Sequence, residues 1–151
     1  MKALSTNALA LLLLIGIALA GCSRLKETPE EKMLAAFADA RDEVQEVVAD
    51  SDRAARADGL ILQLQERFSI TTRNVRSHKD RLIELNADYN ASRDAMAEQL
   101  ELIVQELQGN QKDVLALGKE LNALLTPEER EEISKARSKA LDSAVRAIDA
   151  I

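Results

Sequence analysis

The chain has 151 residues, a formal net charge of −6 and an aromatic content of 2%, with no Trp. So few aromatic side chains argue against a deep globular core, and the abundance of Ala, Leu, Glu, Asp, Arg and Gln favours long helices over sheets. The acidic balance argues against a nucleic-acid partner, because phosphate contacts need clustered Lys and Arg.

The N-terminal segment reads as an export signal. Lys2 supplies a positive start, an apolar run follows from Ala8 to Ala20, and small residues precede Cys22. The run is short of the roughly 20 residues a membrane-spanning helix needs. No basic stop-transfer cluster follows it. Cys22 is the only cysteine, so no internal disulfide can form. Leu19-Ala20-Gly21-Cys22 resembles the lipobox of bacterial lipoproteins at all four positions. That resemblance implies cleavage between Gly21 and Cys22, a diacylated Cys22 sulfur and an acylated new amino terminus. Two or more acyl chains anchor a protein stably, whereas one does so only marginally. Ser23 stands where an Asp would signal retention in the inner membrane, so the resemblance implies the outer membrane, with the mature chain facing the periplasm. The expected organisation is a signal peptide over 1–21, a lipidated tether over 22–28 and one helical domain over 29–151.

Thr28-Pro29-Glu30-Glu31 opens the first helix. Thr28 is placed to cap, Pro29 fits the first helical position, and Glu31 completes a capping box. Met33, Phe37, Ala40, Val44 and Val47 then share one face. Asp50-Ser51-Asp52 is expected to end this helix and cap the next, and Ala57-Asp58-Gly59 is a second candidate break. A seven-residue repeat follows: Ile61, Phe68, Val75, Leu82, Tyr89, Met96, Ile103, then Leu117 and Leu124, with Asn110 interrupting. Its companion position is polar at Gln65, Thr72, Lys79, Asn86 and Arg93, and apolar at Leu100, Leu107, Val114 and Leu121. The polar half, 65–93, is therefore expected to be the exposed or adaptable part. Unbroken, residues 52–124 would make a helix on the order of 110 Å long. Breaks are allowed at Asp88 to Ser92 or at Gly109-Asn110.

Thr126-Pro127-Glu128-Glu129 repeats the capping-box start. The last helix carries Ile133, Ala136, Ala140, Ala144, Ala147 and Ile151 on one flank, with Leu141, Val145 and Ile148 beside them. It is expected to fold back on residues 96–124. The predicted fold is all-α: an elongated antiparallel, coiled-coil-like helical bundle with one long, kinkable central helix and shorter helices packed at its ends. A four-helix version with a turn at 88–92 is the alternative.

Leu125-Thr126-Pro127-Glu128-Glu129-Arg130 resembles the Leu-Thr-x-x-Gln motif of the Spy/CpxP-like periplasmic helical proteins. Glu129 stands where that family has Gln, and only one copy is present where the family has two. The resemblance implies chaperone-like, stress-signalling or metal-resistance roles; read from its residues alone, the segment is a good helix start.

No catalytic constellation is present: no second His, no nucleophile in a Gly-rich turn and no phosphate loop. The protein is therefore expected not to be an enzyme and to need no cofactor. His78 is the only histidine and has no ligand-spaced partner, so no metal site is assigned. Arg67, Arg73, Arg76, Lys79 and Arg81 form one basic stretch, which either meets an anionic partner or pairs with acidic neighbours such as the first helix. The expected function is a lipid-anchored, protein-binding or chaperone-like envelope module. Leu82, Tyr89 and Met96 are the candidates for shallow hydrophobic capture, and Arg73 and Arg76 for steering charge. The alternatives are a structural, self-associating coiled-coil spacer and an envelope stress or metal sensor.

Overall fold

A computed structural model describes residues 27–151. The lipobox and Cys22 lie outside the described residues. Four helices follow in order: α1 Pro29–Val47, α2 Ser51–Ala87, α3 Arg93–Leu124 and α4 Pro127–Asp149. They pack as an all-α bundle, with no strand among the described residues.

Each start is capped as its local sequence dictates. Thr28 Oγ1 accepts from the Glu31 N–H at 3.1 Å, and Glu31 Oε2 accepts from the Thr28 N–H at 2.7 Å. The Thr126–Glu129 pair repeats this at 3.2 and 2.8 Å. Asp50 and Ser92 cap α2 and α3 by accepting from the N–H groups of Arg53 and Ala95. These bonds satisfy donors that a helix start would otherwise leave free.

The heptad run does not form one helix. It turns at 88–92, where the Asp88 carboxylate accepts from the Asn90 N–H and the Asp88 carbonyl from the Ala91 N–H. Short Asp and Asn side chains offer the backbone these local bonds in place of helical ones. Ala57-Asp58-Gly59 and Gly109-Asn110 stay helical. Thr71 with Glu106 and His78 with Gln99 set the register of an antiparallel α2–α3 hairpin. At 1.5 Å per residue its limbs are roughly 55 and 48 Å long.

α1 runs antiparallel to α2, with Glu30 beside Arg76 and Arg41 beside Asp58. α4 runs antiparallel to α1, with Lys139 on Asp39. The last helix therefore folds back mainly on α1, not on residues 96–124 as expected. Small residues explain this choice. Ala36 and Ala40 of α1 and Ala140, Ala144 and Ala147 of α4 are all buried, so the two backbones approach closely. One core joins these faces to Met33, Phe37, Val44, Ile61, Leu64, Phe68, Leu121 and Ile133. Phe37 and Phe68 stack at a tilt, ring centroids 6.1 Å apart.

Two regions result. The body is the four-helix part, reaching up the hairpin as far as Arg76. The arm is the rest of the hairpin, which α1 and α4 do not cover.

Candidate binding surfaces

The arm holds three of the residues singled out by the heptad. Leu82 and Met96 lie at matching levels on its two limbs and are half-buried, and Tyr89 projects fully exposed from the turn between them. Ile83 adds a largely exposed apolar side chain that the heptad did not mark. The two arginines are placed differently. Arg76 is tied to Glu30 at 3.2 Å across to α1. Arg73 is exposed about half a helical turn around α2 from Leu82, so it does not share that residue's face. The structure therefore gathers Leu82, Tyr89 and Met96 toward the tip and leaves Arg73 and Arg76 below them.

The basic stretch is largely paired. Arg67 contacts Glu106 at 3.1 Å and Asp113 at 3.0 Å, and Arg81 contacts Glu84 at 2.8 Å. The Arg67 Nε–Asp113 approach is an ion pair without hydrogen-bond alignment.

Where body meets arm, the hairpin buries a polar layer. Glu106 accepts from Thr71 Oγ1 at 2.9 Å and from Asn74 Nδ2 at 3.0 Å. Burial pushes the Glu106 carboxyl up. The Asn74 and Thr71 bonds and the Arg67 and His78 charges together outweigh it and hold the pKa below the ordinary value. Asn110 is buried in the same layer, as is Thr72, whose hydroxyl has no protein partner. A polar residue within an apolar heptad fixes register at a cost in stability. Gly109 has a separate reason. A Cβ there would lie 3.2 Å from the Arg67 guanidinium, so glycine leaves room for that charge to cross between helices.

Glu129 has a second duty that sequence reading missed. Its carboxylate caps α4 and also takes a bidentate pair from Arg53, at 2.7 and 2.9 Å, while Arg53 donates to the Leu124 carbonyl at 3.0 Å. The Arg53 hydrogen bond, then the Thr126 N–H, holds the Glu129 pKa below the usual carboxylate value. The Thr-Pro-Glu-Glu segment is thus a junction that locks the start of α4 to the start of α2.

The expectation that the polar half of the heptad is the exposed half is met toward the tip, where Lys79, Asn86, Tyr89 and Arg93 are exposed, and fails nearer the body. Phe68, Thr72 and Val75 are buried. The apolar half, on α3, is mixed: Leu121 is buried and Ile103, Val114 and Leu117 are half-buried, but Leu100 is 55% exposed and Leu107 38%, beside Val104 at 50% and Leu115 at 59%. The reason is packing. α3 packs closely on α2 alone and makes no comparable contact with α1 or α4. One apolar flank of α3 is therefore covered and the next is not. Two shallow open grooves, of about 570 and 380 Å³, run along the α2–α3 seam beside Gly59 and Arg67. Among the described residues no group of three or more His, Cys, Asp or Glu converges to hold a metal ion, and no helix is long and apolar enough to cross a membrane. No family model, curated protein or solved structure matches this chain.

Proposed function

We propose that this chain is a lipid-anchored periplasmic protein, held at the outer membrane through Cys22, that binds another protein or envelope component through its helical arm and carries out no chemistry of its own. The arm is the observation that supports this reading best. It stands clear of the body and offers Ile83 and Tyr89 to solvent, with Leu82 and Met96 half-buried behind them. Exposed aromatic and aliphatic side chains on a projecting support suit shallow capture of apolar segments. The chaperone-like version has a direct test. The protein in stoichiometric excess should suppress aggregation of an unfolded client, and Ile83→Ser with Tyr89→Ser should abolish that effect. No suppression by the parent chain rejects this version.

The structural reading, a self-associating spacer, draws on a separate observation, the uncovered apolar flank of α3. A metal-sensing role would require tight binding by titration calorimetry, which we expect to be absent.

A further inference from the structure

We infer that α3 pairs with α3 of a second copy of this chain, antiparallel, about a two-fold axis near Leu107 and Gln108. The inference does not rest on the arm's binding a client. Leu100, Val104, Leu107 and Leu115 fall within one narrow sector of the helix, with Gln111 completing the row. On one side of this row α3 meets α2. On the other lie Glu98, Glu101, Gln105, Gln108, Lys112 and Lys119, spaced three, four, three, four and seven residues apart, so they share a flank. The flank is acidic in its N-terminal half and basic in its C-terminal half. Among the described residues, Glu98, Glu101, Lys112 and Lys119 form no ion pair within the chain.

Charge order and geometry select the second copy as the occupant. When two identical helices pack antiparallel about a two-fold axis, each flank meets the same flank of its mate with the direction reversed. Glu101 then stands opposite Lys112 of the second copy and Glu98 opposite Lys119. The same register puts Leu100 opposite Leu115, and Val104 opposite Gln111. A parallel arrangement would bring this flank against the one that α2 already occupies. The apolar row supplies the buried contact, and the charges set direction and register, as flanking positions do in coiled coils.

The test is sedimentation velocity on the full chain with two variants, Glu98→Lys/Glu101→Lys and Lys112→Glu/Lys119→Glu. The first makes the flank wholly basic and the second wholly acidic. The parent chain should dimerise. Each variant alone should self-associate at least about tenfold more weakly, and an equimolar mixture should recover the dimer. A second measurement reads the register: in a Cys22→Ser background, Val104→Cys/Gln111→Cys should oxidise to a covalent dimer, while either single substitution should not. A parent chain that stays monomeric at hundreds of micromolar overturns the inference. So does a dimer indifferent to both charge reversals, or efficient cross-linking by a single cysteine, which would mark a parallel pair. Cross-linking of Val104→Cys to a different protein in native envelopes, without a self-dimer, assigns the row to another occupant and overturns it as well.

Discussion

In the body, α2 buries Ala54, Ala57, Leu60, Ile61, Leu64 and Phe68 among three neighbouring helices, whereas beyond Val75 the same helix buries Leu85 alone. The body is held by apolar burial and by tight alanine contacts. The arm is held by its turn, by helix propensity and by the polar layer at its root. Two stretches of one hairpin therefore differ in what a substitution can cost. Local opening should follow the same division, with arm amides exchanging faster than body amides, because few buried contacts oppose opening there.

Phe37→Ala should break the body. It empties the centre of the Phe37–Phe68 contact, and truncation of a buried Phe costs about 3–5 kcal/mol. Chemical denaturation should read that loss across the whole chain. Glu106→Gln should act at the border between the regions. It weakens bonds to Thr71, Asn74 and Arg67 and should cost about 1–2 kcal/mol, because bonds to a charged, largely buried group are worth more than neutral ones. Exchange in the arm should rise more than exchange in the body.

Acid should act in the same direction. The folded pKa values of Glu106, Glu129 and Glu31 lie below the ordinary 4.5. A depressed carboxylate contributes its full stability above the unfolded value and loses it as pH falls through the folded one. A pH series should therefore show stability steady above about pH 5 and falling below 4.5, and Glu106→Gln should flatten part of that fall.

Gly59→Ala and Gly118→Ala should each stabilise by about 0.5–1 kcal/mol, because alanine is the better helix former and an added Cβ meets nothing within 4 Å at either position. Gly109→Ala should gain less or lose, because the Arg67 guanidinium is in the way. Tyr89→Ala should change stability least, within about 0.5 kcal/mol, since the ring touches open solvent. A large loss on Tyr89→Ala would show that the arm is not the free element described above.

Much of this architecture is legible in short windows of sequence. Both capping boxes, the Asp50 cap and the inward faces of α1 and α4 follow from residues three or four apart, where local geometry decides the outcome. The hairpin turn was harder to read. Leu82, Tyr89 and Met96 keep the seven-residue phase straight through it, so periodicity argues for continuity while Asp88, Asn90 and Ser92 argue for a turn. The turn prevails because folding the limbs together buries Phe68, Thr72 and Val75, a gain that no local window contains. The ties from Arg53 to Glu129 and from Lys139 to Asp39 span 76 and 100 residues, so nothing in the sequence marks the partners. Exposure along α3 is not legible in the sequence for the same reason, since a heptad states that a helix wants neighbours and not how many it obtains.

The direction of α1 has a consequence for reach. Its first turn sits beside Arg76, at the shoulder of the hairpin, and the helix then runs away from the tip. With a lipid on Cys22, the leash over 22–28 spans at most about 25 Å when fully extended. The α2 limb beyond Arg76 rises roughly 17 Å. Leash and limb are then of similar length. Under the anchorage proposed above, the apolar tip would stay within about 4 nm of the lipid, and its ligand would be met there.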